Sequence, residues 1–210
     1  MNKLNTQMPQ NATQIFINGR VGKLDCMLLN SLLQETRGIA IIFHPDPKGG
    51  GTNTNKIVQT IAKTLCLNGY ICVCPNLRGV GQSDGLHDMG HAEVDDAMAV
   101  LDYLQQNYPN LPLVLGGFSF GSSIAAQLAK KTEYQKLILI GMAVTKYQVP
   151  VSDISKTIAI HGENDEIVPP ELVKQWAIDN DIPVIWYPNT GHFFHGKLVQ
   201  LQNMLNNFRF

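Results

Sequence analysis

The chain has 210 residues, of which 44% are hydrophobic and 16% are charged, so it is long enough to bury one substantial core. Its 16 lysines and arginines nearly balance its 17 aspartates and glutamates, which argues against nucleic acid or an anionic membrane as a partner. We therefore predict a single domain over residues 1–210, in which residues 1–13 form a loosely ordered N-terminal arm.

The start of the chain and its cysteines bear on the cellular compartment. The polar N-terminal stretch contains no apolar run that resembles a signal peptide, which favours the cytoplasm. The four cysteines form no CxxC pair and suggest no disulfide framework. The uncharged stretch 111–129 contains a proline and several glycines and serines, so it does not read as a membrane span.

The elements follow in chain order. Two short strand patterns, 14–17 and 24–29, are joined across Asn18-Gly19, a dipeptide that favours tight hairpin turns, so we expect an antiparallel pair. From Gly38 onward, apolar runs alternate with amphipathic helical patterns, which predicts an α/β fold with a mostly parallel, doubly wound sheet. The predicted parallel strands are 39–43, 70–75, 113–116, 137–141, 158–161 and 183–187. The predicted helices lie around 57–65 and over 93–106, 122–130, 171–179 and 197–206.

A candidate nucleophile lies in the pentapeptide GFSFG at residues 117–121. It follows an apolar strand pattern and precedes a helical one, which is the context of a G-x-S-x-G nucleophile elbow. A serine on so sharp a turn is crowded, and only glycine fits comfortably two residues to either side. We predict Ser119 as the nucleophile, against the alternative of a Gly-Ser-rich turn that arose by chance.

A serine hydroxyl needs a base within hydrogen-bond reach, and the base needs an acid that fixes its tautomer. Asp165 follows a predicted strand and should lie at the carboxyl edge of the sheet, where ligands bind. We predict it as the acid, with Glu163 and Glu166 as rivals. His192 follows the last predicted strand and completes the order Ser, Asp, His, so we predict it as the base, with His195 as its rival.

The elbow, the segment HGENDEIVPP at 161–170 and the segment GHFFHGK at 191–197 together resemble the α/β-hydrolase family, from about Ile39 to the C-terminus. The chain is similar in particular to small bacterial members without a lid, such as dienelactone hydrolases and serine-dependent esterases and peptidases. The resemblance implies the α/β-hydrolase fold. Dienelactone hydrolases characteristically carry cysteine at the nucleophile position, where this chain has Ser119.

Two backbone N–H groups are the expected donors to an oxyanion. One belongs to Phe120, directly after the nucleophile, and the other to the loop after the strand 39–43. That loop reads His-Pro-Asp-Pro, and since proline has no N–H, Asp46 carries the only amide between Pro45 and Pro47.

The connection 142–156 between two predicted strands is too short for a lid. This predicts an open, shallow site without a cap domain, which takes small or protruding acyl groups. The residues that we expect to line it are His44, Phe118, Met142, Tyr147 and Phe193.

The predicted activity is hydrolysis of a small carboxylic ester through an acyl-enzyme, with no cofactor. No metal is expected, because His87 and His91 lack a third ligand. The same triad would also serve a thioesterase or an aminoacyl-peptide hydrolase, and the remaining alternative is a non-catalytic binding protein on the same fold. The expected partner is a small-molecule ester or acyl substrate, and the expected state is a monomer or a small homo-oligomer.

Overall fold

The computed structural model describes residues 11–208 and residue 210, which form an eight-stranded sheet with helices on both faces. The strands are β1 (Ala12–Gly19), β2 (Gly22–Leu29), β3 (Gly38–Phe43), β4 (Tyr70–Pro75), β5 (Leu113–Phe118), β6 (Lys136–Ile140), β7 (Thr157–Gly162) and β8 (Val184–Tyr187). The α-helices are α1 (Lys56–Leu67), α2 (Glu93–Asn107), α3 (Phe120–Ala129), α4 (Pro170–Asp179) and α5 (Leu198–Asn206), and short 3-10 turns span Pro47–Gly49 and Ile154–Lys156. None of these helices is both long and apolar enough to cross a membrane.

The first two strands form the predicted antiparallel hairpin, but its turn lies elsewhere. Gly19 pairs with Gly22, so the two turn residues are Arg20 and Val21 instead of Asn18-Gly19. The positive φ of this turn falls on Gly22, at +128°. A side chain there would overlap the carboxylate of Asp84, so a contact from a distant loop helps to set the register.

The N-terminal arm was predicted to span residues 1–13, and its predicted end lies too far along the chain. Ala12 and Thr13 belong to β1, where they pair with Leu29 and Leu28. Residues 1–10 of the arm lie outside the described residues.

The order of the strands in the sheet creates a crevice at its carboxyl edge. The order is β1-β2-β4-β3-β5-β6-β7-β8, and all pairs from β4 to β8 are parallel. This confirms the mostly parallel, doubly wound sheet without a cap domain. The chain leaves β3 toward β4 on one side and later returns to β5 on the other. Ligands bind at such a switch point because the loops after the two strands diverge.

The core consists of two apolar layers, one on each face of the sheet. In β3, Ile39, Ile41 and Phe43 face the layer that α2 and α3 cover, whereas Ala40 and Ile42 face the layer that α1 and α5 cover. Because both faces are buried, the parallel strands are continuous apolar runs instead of alternating ones.

Between β5 and α3 the chain reverses direction at one residue. Ser119 has φ +55° and ψ −118°, which is a strained combination for a residue other than glycine. Its N–H donates to the carbonyl oxygen of Ile140 at 2.9 Å. The neighbouring strand β6 therefore holds the turn in place.

Gly117 and Gly121 flank this turn because the backbone leaves no room for side chains. A Cβ at Gly117 would lie 2.1 Å from the carbonyl oxygen of Gly121, and a Cβ at Gly121 would lie 2.2 Å from the carbonyl oxygen of Phe43. Both obstructions are backbone atoms, which cannot rotate away. These positions therefore require glycine.

We expect Gly117→Ala and Gly121→Ala each to destabilise the fold by about 3 kcal/mol or more, because the added Cβ would overlap backbone atoms that cannot move aside. Urea denaturation of both variants measures the loss. Gly49→Ala is the matched control, since a Cβ at Gly49 would meet nothing within 4 Å. Equal midpoints for the three variants and the wild type would contradict the packing argument.

Candidate active site

Three loops at the carboxyl edge of the sheet carry the predicted triad. Ser119 follows β5, Asp165 follows β7 and His192 follows β8. These strands are parallel and lie on the same half of the sheet, so their carboxyl ends share one edge. The sheet thus gathers residues that are separated by 27 and 73 positions along the chain.

The imidazole of His192 contacts both of the other triad residues. Its Nδ1 lies 2.7 Å from Oδ2 of Asp165, and its Nε2 lies 3.0 Å from Oγ of Ser119. The exposed fractions are 6% for Ser119, 4% for Asp165 and 2% for His192. Because an ionised carboxylate only accepts hydrogen bonds, Nδ1 carries the proton and Nε2 is left to accept the serine hydroxyl.

The carboxylate of Asp165 is held on both oxygens. Oδ1 accepts the N–H groups of Ile167 and Val168, at 2.9 and 2.7 Å, and Oδ2 faces His192. Burial by itself raises the pKa of Asp165, but the hydrogen bonds from His192 and Val168 outweigh it. The pKa of Asp165 therefore lies below its usual value, and the group is ionised at neutral pH.

The rivals of the predicted acid and base lie outside the triad. Glu163 and His195 are exposed. Glu166 supports the histidine loop instead: its Oε2 lies 3.3 Å from the N–H of His192, which donates to it. A Cβ at Gly191 would lie 2.5 Å from the same oxygen, so a larger residue there would displace this contact.

Aromatic rings and a glycine enclose the imidazole. The ring of His192 lies 4.9 Å from that of Phe118 and 5.2 Å from that of Phe193, measured between centroids. Gly141 follows β6 with a φ of +57°, and a Cβ there would lie 2.9 Å from the Phe118 ring and 3.3 Å from Cε1 of His192. The absence of a side chain at this position leaves room for the imidazole.

The two predicted oxyanion donors are both free. The N–H groups of Phe120 and Asp46 have no acceptor among residues 11–208 and 210. Phe120 begins α3, and the first N–H groups of a helix lack intrahelical partners and lie at its positive end. The close approach of Gly121 to the carbonyl oxygens of Phe43 and His44 brings this helix end against the loop that contains Asp46.

Hydrogen bonds close the Asp46 loop into a tight turn. The carbonyl oxygen of Asp46 accepts the N–H groups of Gly49 and Gly51, both at 3.0 Å. Its carboxylate Oδ1 accepts the N–H of Lys48 at 2.8 Å. The direction of the Asp46 N–H is therefore fixed by the local turn.

Tyr147 touches both donor residues. Its ring lies 4.9 Å from that of Phe120, and its hydroxyl donates to Oδ2 of Asp46 at 3.5 Å. Burial, together with the charge of Asp46, raises the pKa of Tyr147 to about 12, so the hydroxyl keeps its proton. Of the predicted pocket residues, Tyr147 is half-buried and Phe193 is 45% exposed.

The other three predicted pocket residues are buried in the core. His44, Phe118 and Met142 each have an exposed fraction of 0%, so they do not line an open site. The expectation was wrong because all three lie at or just beyond a strand end, and proximity to the edge does not determine the direction of a side chain.

His44 instead fastens the loop after β3. Its Nδ1–H donates to the carbonyl oxygen of Pro45 at 2.7 Å, and its Nε2 accepts the N–H of Leu77 at 3.1 Å. Burial lowers the pKa of His44 to about 4. The ring is therefore neutral, and it connects the Asp46 loop to the loop after β4.

His87 and His91, the pair considered for a metal, take different environments. Nδ1 of His87 lies 2.7 Å from Oε1 of the buried Glu93, and its ring packs edge-on against Phe120 at 5.3 Å, whereas His91 is exposed. In the part of the chain that the structure describes, no group of three or more His, Cys, Asp or Glu side chains is arranged to hold a metal ion.

The low pKa of His44 predicts a loss of stability in acid. Between pH 6.5 and 4 the unfolded chain binds a proton at this histidine and the folded chain does not, so the free energy of unfolding falls by about 3 kcal/mol. Urea denaturation at pH 7 and pH 4 measures the fall. His44→Gln should lack this component, whereas His195→Gln, at an exposed position, should retain it; an equal fall in all three proteins would contradict the assignment.

Comparisons with known proteins show the family to which this chain belongs. A family model described as serine aminopeptidase, S33, matches residues 34–159, a range that includes Ser119 but ends before Asp165 and His192. An uncharacterized protein of Rickettsia prowazekii (strain Madrid E) is 34% identical over 212 residues, covering 93% of this chain and 87% of the other.

Solved structures agree with this result. An α/β serine hydrolase without a lid from Xanthomonas campestris superposes with a TM-score of 0.88 at 32% identity, covering 94% of this chain and 93% of that one. An α/β serine hydrolase homologue from Coxiella burnetii gives a TM-score of 0.85 at 34% identity, with coverage of 95% and 98%. The chain therefore belongs to the serine aminopeptidase S33 family of the α/β-hydrolase superfamily, with the fold of its lidless serine hydrolases.

Proposed function

We propose that this protein is a serine hydrolase that cleaves a small carboxylic ester through an acyl-enzyme, with Ser119, His192 and Asp165 as the catalytic residues. The observation that carries the proposal is the single imidazole of His192, which lies 3.0 Å from the serine hydroxyl and 2.7 Å from the carboxylate. This is the arrangement that makes a serine oxygen nucleophilic at neutral pH.

In the first half of the reaction, Oγ of Ser119 attacks the carbonyl carbon while Nε2 of His192 takes the hydroxyl proton. The imidazolium that forms lies beside the ionised carboxylate of Asp165, which stabilises it. The carbonyl oxygen becomes an oxyanion, and the N–H groups of Phe120 and Asp46 donate to it. His192 then returns the proton to the departing alcohol, and the acyl group stays on Ser119.

In the second half, water repeats the attack on the acyl-enzyme with His192 again as the base, and the acid leaves. The two N–H donors serve the oxyanion in both halves. Removal of one such donor typically costs about 3 kcal/mol of transition-state stabilisation. The hydrogen bonds that close the Asp46 turn, and the ring of Tyr147 against Phe120, keep both donors in place without reorganisation during the reaction.

The site favours a small or protruding acyl group. The connection from β6 to β7 contains no cap domain, and the exposed ring of Phe193 stands next to His192. A substrate can therefore approach directly from solvent, with Tyr147 and Phe193 as the apolar surfaces on which it packs. The expected cytoplasmic location and the expected monomer or small homo-oligomer stay predictions.

A second candidate activity is hydrolysis of aminoacyl amides, which the description of the matching family favours. The same triad and oxyanion donors would serve it, because acyl transfer from an amide differs mainly in the leaving group. A thioester substrate would use the same residues as well. The distinguishing property of an aminopeptidase is recognition of a free α-amino group.

We expect Ser119→Ala to abolish turnover of short p-nitrophenyl esters, with kcat reduced by a factor of about 10⁴ or more because no other nucleophile replaces the hydroxyl. The variant should also lose labelling by a fluorophosphonate probe. Ser123→Ala is the matched control: it removes a buried hydroxyl that bonds the carbonyl oxygen of Gln148 and leaves the triad unchanged. Undiminished turnover in Ser119→Ala would remove this residue from the mechanism, and a wild type that the probe does not label would favour a non-catalytic binding protein.

The ester preference is tested by kcat/KM on a matched set that carries one acyl group as an ester, a thioester and an amide. We expect the ester to have the largest value. We also expect an aminoacyl p-nitroanilide with a free amine to react no faster than its N-acetylated counterpart. A preference of tenfold or more for the free amine, which is about 1.4 kcal/mol, would replace the ester proposal with the aminopeptidase.

A further inference from the structure

A second histidine lies beside the carboxylate of the triad. His161 is near the end of β7, at the position i−4 relative to Asp165, and its exposed fraction is 0%. Its ring packs edge-on against that of Trp186 with 5.8 Å between centroids. The catalytic cycle described above assigns it no role.

The contacts of His161 determine its tautomer. Nε2 lies 3.0 Å from the carbonyl oxygen of Val168, and since a carbonyl can only accept, Nε2 carries the hydrogen. Nδ1 is buried and has no hydrogen-bond partner among the described residues. Burial lowers the pKa of His161, so the ring is neutral, with its single N–H on Nε2.

The same N–H lies close to Asp165. Nε2 of His161 is 3.3 Å from Oδ2, the oxygen that contacts His192. Val168 completes a closed arrangement, because its N–H donates to Oδ1 of Asp165 at 2.7 Å while its carbonyl accepts from His161. The imidazole of His161 thus donates to the backbone segment that anchors Asp165, and it lies next to the carboxylate itself.

We propose that His161 is a positioning residue of the triad, which orients the Asp165 carboxylate through Val168 and weakens its pull on the proton of His192. The inference rests on the proposed function, because it assigns Asp165 as the orienting acid. His161 would be a fourth side chain of the site, beside Ser119, Asp165 and His192.

The electrostatic consequence has a definite sign. The N–H dipole of His161 partly neutralises the charge on Oδ2. Without it, the carboxylate attracts the imidazolium form of His192 more strongly, which moves the acid limb of the rate profile to higher pH. The groups that contact His192 are Asp165 and Glu166 from the loop after β7 and the Ser119 hydroxyl from the elbow, and His161, near the end of β7, lies on the other side of Asp165.

The test is the pH profile of kcat/KM for His161→Phe and His161→Gln. Phenylalanine keeps a ring against Trp186 and removes the N–H, so we expect kcat to fall roughly tenfold, the acid limb to move up by roughly one pH unit, and KM to stay unchanged. Glutamine retains an N–H donor, so His161→Gln should recover most of the kcat and return the acid limb toward its wild-type position. His91→Phe is the matched control at an exposed histidine and should behave as the wild type.

A folded His161→Phe with the kcat and pH profile of the wild type would overturn the inference, whereas a wild type without ester turnover or probe labelling would instead overturn the proposed function. If His161→Phe does not fold, nitrogen-15 NMR of histidine-labelled wild type decides between the tautomers. Hydrogen on Nε2 of His161 supports the inference, and hydrogen on Nδ1 overturns it.

Discussion

One imidazole ring has to reach a hydroxyl and a carboxylate at the same time, and the rest of the molecule is arranged around this requirement. The elbow follows β5 and the acid loop follows β7, with β6 between them. Parallel strands lie about 4.8 Å apart, so two steps across the sheet separate the two loops by about 10 Å. His192, which enters from β8, bridges that gap with hydrogen bonds of 2.7 and 3.0 Å.

The strands and helices were predictable because their sequence patterns reflect burial on two faces. The strand at 70–75 was predicted with the bounds of β4, since its residues are all buried. β5 runs to Phe118, beyond the predicted end at 116, because Gly117 pairs with Phe43 and Phe118 pairs with Ile140. Two glycines weaken a strand pattern in the sequence, and only the neighbouring strands reveal the pairing. The hairpin turn was misplaced for a similar reason, since Asp84 contacts it from far along the chain.

The parts of the candidate site whose positions depend on the backbone were predictable. The parts that depend on the direction of a side chain were not. The elbow, the acid and the base are tied to the ends of β5, β7 and β8, so chain order alone indicates a common edge. The lining of the pocket was not predictable, because a side chain at the edge of the sheet can point either into solvent or into a core layer. Phe118 lies on the same face of β5 as Val114, and His44 is turned toward Leu77. These directions follow from tertiary packing, which one sequence does not reveal.

The acid loop gives a physical meaning to the segment 161–170 that carried much of the family resemblance. A buried carboxylate is costly unless its oxygens are satisfied, and Asp165 has neighbours both before and after it in the chain. The N–H groups of Ile167 and Val168 bind Oδ1, and His161 and His192 face Oδ2. Pro169 and Pro170 then end the loop and begin α4. The histidine, the aspartate and the prolines of this segment therefore act together to keep a negative charge buried, ionised and directed at the imidazole of His192.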